Sequence, residues 1–184
     1  MATATSSGRT MTTWELDPAH TLIEFSAKHM MITTVKGRFT EVSGTIHADE
    51  KDPSRSSVEA TIKAASLDTR TEQRDQHLRS ADFLDVEHYP DITFKSTRVE
   101  TVDKDHFRVI GDRTIRGTTR PITLDTTFVG RGKDPWGGER AGFSATTKID
   151  RHEFGHTWNQ ALEAGGVLVG NEIKISIVVE AVKK

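Results

Sequence analysis

Glu172-Ile173-Lys174-Ile175-Ser176-Ile177-Val178-Val179-Glu180-Ala181-Val182 alternates apolar and polar residues with a period of two. Ile173, Ile175, Ile177 and Val179 fall on one side, and Glu172, Lys174, Ser176 and Glu180 on the other. That is the pattern of a strand with one face buried and the other in water. Working back along the chain, the pattern recurs in Ala141, Phe143, Ala145, Thr147 and Ile149, in Ile122, Leu124, Thr126 and Phe128, and in Phe107, Val109, Gly111, Arg113 and Ile115. Ile92 and Phe94 begin another strand. Val58 to Ala64, Val42 to Ala48 and Leu22 to His29 supply three more, and Trp14 to Leu16 a short one.

Turn chemistry separates these runs. Asp17-Pro18 breaks the first, because proline fixes φ and lacks an N–H donor. Pro53 marks a loop, Arg116-Gly117-Thr118 a turn, and Gly130 to Gly138, with Asp134-Pro135, a hairpin connection that ends the Ile122 strand. Met30 to Lys36 is expected to be irregular or a single helical turn. Eight or nine one-sided strands predict an all-β antiparallel sandwich or barrel, and closure removes exposed edges.

One segment departs from the alternation. Thr69 to Phe94 holds a charged run, Glu72 to Arg79, followed by Ala81-Asp82-Phe83-Leu84, and predicts one short helix that delivers an apolar plug. If the strands close, Glu72 to Arg79 faces water while Leu78, Phe83 and Leu84 cover one mouth or flank of the lumen, as a lid or as a structural plug.

At 184 residues the chain fits one domain, taken as 13–184 after a disordered tail, 1–12. With 25 Lys and Arg against 27 Asp and Glu, the formal charge of −2 gives no footprint for nucleic acid. The N-terminus has no apolar h-region and no stretch is long enough to span a membrane, so a cytoplasmic protein is expected. The absence of cysteine excludes disulfides, thiolate metal sites and cysteine nucleophiles. No G-x-S-x-G, P-loop or dinucleotide fingerprint is present, and no cofactor is expected.

Many inward positions are small: Ala27, Gly44, Ala48, Ala60, Gly111, Ala141 and Ala145. A barrel of about eight strands lined in this way either leaves a lumen for a small ligand or fills it as a core.

Several separated motifs carry a resemblance. Asp17-Pro18-Ala19-His20 with Phe25 and His29, Val35-Lys36-Gly37-Arg38-Phe39 with Gly44, and His77-Leu78-Arg79-Ser80-Ala81-Asp82-Phe83-Leu84-Asp85 with Tyr89-Pro90-Asp91-Ile92-Thr93-Phe94 occur in order. Gly111-Asp112, Thr114-Ile115-Arg116-Gly117, Thr119-Arg120-Pro121, Arg151 and Phe154-Gly155 follow. From Trp14 to Val182 the chain resembles the YceI-like proteins. The resemblance implies an up-and-down lipocalin-like barrel of about eight strands that holds a polyprenyl chain or an isoprenoid quinone without catalysing a reaction. It also implies a homodimer. Phe25, Phe94, Leu124, Phe128, Phe143, Ile175 and Ile177 are then the tunnel wall. His29 is either a hydrogen-bonded core histidine or the polar end of the tunnel, in contact with a quinone carbonyl.

Two features depart from the family pattern. Arg113 stands where the family carries an apolar residue, on the same face as Val109 and Ile115. Either it meets an anionic ligand head, or a strand end or bulge carries it to solvent. His152-Glu153-Phe154-Gly155-His156 spells H-E-x-x-H, which on a helix would bind zinc and make the chain a metal-dependent hydrolase. Gly155 and the strand pattern upstream argue against a helix there, and no metal is assigned. A third alternative is a filled barrel acting through its surface as a stress or interaction module. Trp14, Trp136 and Trp158 are taken as packing anchors, with Trp136 over a barrel end or touching lipid.

Overall fold

A computed structural model of the chain describes residues 11–29, 32–154 and 169–184. Among them eleven strands form one antiparallel sheet: β1 (Met11–Leu16), β2 (Leu22–His29), β3 (Thr33–Phe39), β4 (Val42–Asp49), β5 (Ser57–Lys63), β6 (Leu67–Asp68), β7 (Asp91–Thr101), β8 (His106–Ile115), β9 (Thr118–Lys133), β10 (Glu139–Asp150) and β11 (Val169–Lys183). The helix α1 spans Glu72–Arg79. Eight strands, in the order β1, β4, β5, β7, β8, β9, β10 and β11, close on themselves because β1 pairs with both β4 and β11. The expected barrel is therefore present, with neighbours in sequence also neighbours in the ring from β7 onward.

The strand read first organises the closure. One edge of β11 pairs with β10 from Arg140↔Val182 to Asp150↔Glu172. Its other edge is shared: β2 takes Leu22↔Val178 to His29↔Val169, and β1 takes Leu16↔Ala181 to Trp14↔Lys183. Asp17-Pro18 separates the two, so that β1 can cross to β4 while β2 pairs with β3 and β3 with β6. The corner is tied by Asp17, whose N–H donates to the Glu180 carbonyl at 2.8 Å. Its carboxylate caps a short 3₁₀ turn, Pro18–His20, by accepting from the Ala19 N–H at 3.0 Å.

Several boundaries differ from those expected. β1 takes in Met11 and Thr12, at the edge of the expected tail, whose first ten residues lie outside the described residues. Thr33–Phe39 is a strand rather than irregular chain, fully paired with β2 from His29↔Thr33 to Ile23↔Phe39. Its inward line, Val35, Gly37 and Phe39, is interrupted by a glycine whose missing side chain makes room for the Phe25 ring opposite. β9 runs on through Gly130 and Gly132 to Lys133, held by pairing with β10, instead of stopping at the first glycine. At the β8–β9 turn, Arg116 and Gly117 have φ of 49° and 71°, the left-handed pair that suits a two-residue hairpin.

Trp14, Leu16, Ile23, Val42, Ala141 and Ala181 form a buried cluster where β1, β2, β4, β10 and β11 converge. On α1 one charge is not on the wet face: Asp75 is buried, accepting from the N–H of Thr69 at 2.9 Å and from its hydroxyl. That bonding ties the helix to the segment before it, and corrects the expectation that all of Glu72 to Arg79 faces water.

Candidate ligand cavity

The inward faces of the ring, joined by residues of β2, β3 and β6, line a cavity of about 770 Å³, within the range of small-molecule sites. The small inward residues leave the centre open, so the filled-core alternative does not describe this barrel. Phe25, Phe94, Leu124, Phe128, Phe143, Ile175 and Ile177 all line it, as the alternation predicts. Phe25 meets Phe39, and Phe128 meets Phe143, each pair with centroids 5.5 Å apart. The side chain of His29 lies outside the described residues. Leu67, Val99, Phe107, Ile149 and Ile173 are among the further wall residues that were missed as site residues, although several sit on lines already read as inward.

Leu78, Phe83 and Leu84 also line the cavity, at the end covered by α1 and the segment after it. Phe83 is 4% exposed and stands edge-on to His77, with centroids 4.7 Å apart. Backbone bonds shape this cover: the Phe83 N–H donates to the Ser80 carbonyl at 3.0 Å and the Leu84 N–H to the Leu78 carbonyl at 3.0 Å. Arg116 reaches from the β8–β9 turn to donate to the Phe83 carbonyl, and Tyr89 packs against Gly117, where a β-carbon would stand 2.8 Å from its ring.

Arg113 faces the lumen and is not carried to solvent. Its side chain is 6% exposed, and Nη2 donates to Oε2 of Glu153. Glu153 belongs to a short 3₁₀ turn, Arg151–Phe154, at the end of β10. The same turn holds the first residues of the H-E-x-x-H sequence. The Glu153 carboxylate is engaged by Arg113, and Nδ1 of His152 lies 2.8 Å from Oδ1 of Asp150. His156 lies outside the described residues. The partner of Arg113 was missed because it lies forty positions away and was read only as part of a motif.

At the opposite end the polar residues satisfy one another. Arg131 lies over the Trp14 ring at 5.3 Å and pairs with Glu50 at 3.0 Å and Glu139 at 2.8 Å. Asp49 accepts from the N–H groups of Lys51 and Asp52, each at 3.0 Å.

Outside the cavity, Asp17, His20 and Glu180 bring three possible metal ligands together. The guanidinium of Arg140 already lies 2.7 Å from Oδ2 of Asp17 and 3.2 Å from Oε2 of Glu180, so the cluster is an ion-pair network that carries its own cation. Bonds from His20 and Arg140 lower the Asp17 pKa to about 2, while bonding to Asp17 and the charge of Glu180 raise that of His20. Trp14 is buried as an anchor, but Trp136 is 85% exposed at the tip of the β9–β10 hairpin and is not a buried packing anchor. Trp158 lies outside the described residues. Among the described residues no helix is long and apolar enough to cross a membrane.

The arrangement is matched in known proteins. Protein YceI of Escherichia coli O157:H7 is 44% identical over 135 residues, covering 73% of this chain and 70% of that protein. The YCEI protein of Campylobacter jejuni superposes with a TM-score of 0.74 at 34% identity, over 85% of this chain and 90% of that one. A polyisoprenoid binding domain from Saccharophagus degradans has a TM-score of 0.66 at 12% identity, over 91% of this chain and 97% of that one, a likeness of fold. The model of the YceI-like domain matches residues 14–181, which reaches into every strand of the closed ring, and the chain belongs to that family.

Proposed function

We propose that the protein binds and carries a long-chain isoprenoid lipid, a polyprenyl chain or an isoprenoid quinone, in the barrel lumen and performs no reaction on it. One observation carries this reading: an apolar cavity of about 770 Å³ walled by Phe, Leu and Ile side chains and covered at one end by Leu78, Phe83 and Leu84. Each methylene moved from water into such a space contributes about 0.8 kcal/mol, so several isoprene units supply gross driving force without a catalytic group. The polyisoprenoid binding domain that shares this fold supports the ligand class. Against a zinc hydrolase stands the local backbone: His152 and Glu153 sit on a four-residue 3₁₀ turn at the end of β10, not on the helix such a site uses.

The experiment is extraction of the purified protein and mass spectrometry of what it releases, followed by titration of the delipidated chain with geranylgeraniol. A co-purifying prenyl lipid and saturable binding are expected. An empty protein that rejects prenyl alcohols overturns the reading. The homodimer that the family resemblance implies and the cytoplasmic location expected from the N-terminal composition belong to the same proposal, tested by sedimentation and cell fractionation.

A further inference from the structure

Arg113 and Glu153 are unequal partners. Arg113 is carried by β8, paired on one side to Phe94 of β7 and on the other to Arg120 of β9, so its backbone is fixed in the wall. Its side chain is 6% exposed, whereas that of Glu153 is 42% exposed. A guanidinium keeps its charge under burial, so the fork of Arg113 demands an oxyanion. Glu153 supplies one from a four-residue turn at the rim, with a short path to water.

The other charges facing the cavity are disposed asymmetrically. Arg74 and Arg113 line the covered end, whereas the lining carboxylates Asp49 and Glu50 sit at the far end, where Glu50 pairs with Arg131. The buried carboxylate near the cover, Asp75, is bonded to Thr69. An anion arriving at the covered end therefore meets cations, and competes with a carboxylate that can leave.

We propose that Arg113 is the head-group site for an anionic amphiphile, bearing a phosphate or carboxylate, whose head displaces the Glu153 carboxylate into solvent while its chain fills the lumen. This rests on the lumen reading above and names the ligand's polar end. The exchange replaces one oxyanion with another, so Arg113 stays paired throughout. A neutral alcohol or quinone offers a weaker acceptor than the carboxylate it must displace, and leaves the ion pair in place.

The test titrates the delipidated full chain with geranylgeranyl diphosphate, geranylgeraniol and a long-chain fatty carboxylate, in the wild type, Arg113→Leu and Glu153→Gln. The wild type is expected to prefer the diphosphate to geranylgeraniol by about tenfold or more, as a charge-assisted bond allows. Arg113→Leu collapses that ratio toward one, and Glu153→Gln increases it. A matching preference for the fatty carboxylate assigns a general oxyanion site, and its absence assigns phosphate. Should Arg113→Leu not fold, Glu153→Gln decides, and an unchanged ratio overturns the proposal. A wild type that binds geranylgeraniol without preferring either anion overturns the head-group site alone. One that binds none of the three overturns the lumen reading as well.

Discussion

Arg116 holds the cover of the barrel by donating from Nη1 to the carbonyl oxygen of Phe83 at 2.9 Å. The bond links a rigid hairpin turn to the segment over the cavity, and a charged donor makes it stronger than an amide bond. Arg116 has a φ of 49°, which asparagine tolerates, so Arg116→Asn removes the guanidinium without new backbone strain. We expect a bound prenyl ligand to dissociate about tenfold faster, corresponding to about 1.4 kcal/mol. Stopped-flow release of a fluorescent prenyl probe measures this, and an unchanged rate means the bond does not retain the cover.

Phe83 tests whether the segment is a lid or a plug. Its ring is buried, but the space beneath it is cavity, so truncation enlarges an existing opening more than it creates a void in packed core. Phe83→Ala should cost less than the 3–5 kcal/mol typical of a core phenylalanine, about 1–2 kcal/mol, while markedly shortening ligand residence. Urea denaturation beside release kinetics separates the two. A loss of about 4 kcal/mol with normal residence would make Phe83 a structural plug.

Gly37 and Phe25 are cross-strand partners in which one residue exists to accommodate the other. A β-carbon at Gly37 would overlap the Phe25 ring, so Gly37→Ala should destabilise the barrel by about 1–3 kcal/mol through overpacking. Pairing it with Phe25→Leu should recover part of the loss, because the two sites share one space. Strictly additive losses in a double-mutant cycle would show that Gly37 is required for some other reason.

The same pair explains what could be read in advance. β11 was legible because four branched aliphatics alternate with charge on a strand that keeps water on one face. β3 was not, since the inward position that would have completed its pattern is a glycine set by a ring on another strand. Parity showed which residues of the wall point inward and the family resemblance that they border a tunnel, whereas the partner of Arg113 depended on where the end of β10 lies against β8. Asp75 was hidden among charges of similar composition, and only the placement of Thr69 distinguishes it as buried. Period-two burial is a local property; the pairing of buried charges is set by how distant segments meet.

The Asp17 corner predicts acid sensitivity. Bonds from His20 and Arg140 place its folded pKa at about 2, below the ordinary value of 3.8. A group depressed on folding contributes stability above its unfolded pKa and loses it as pH falls through the folded one, so the loss should run between about pH 4 and pH 2. The Asp17 side chain is 15% exposed, and solvent screening holds the contribution to about 1–2 kcal/mol. His20 has the opposite sign: its raised pKa stabilises at low pH, and that contribution fades as pH rises through and above its ordinary value of 6.5. Asp17→Asn keeps a residue able to cap the Pro18–His20 turn but removes the charge. Chemical unfolding from pH 2 to 8 should then show a shallower acid limb and a smaller decline around neutrality than the wild type. Parallel curves for the two proteins would mean that Asp17 ties the β1–β2 corner by geometry and not by charge.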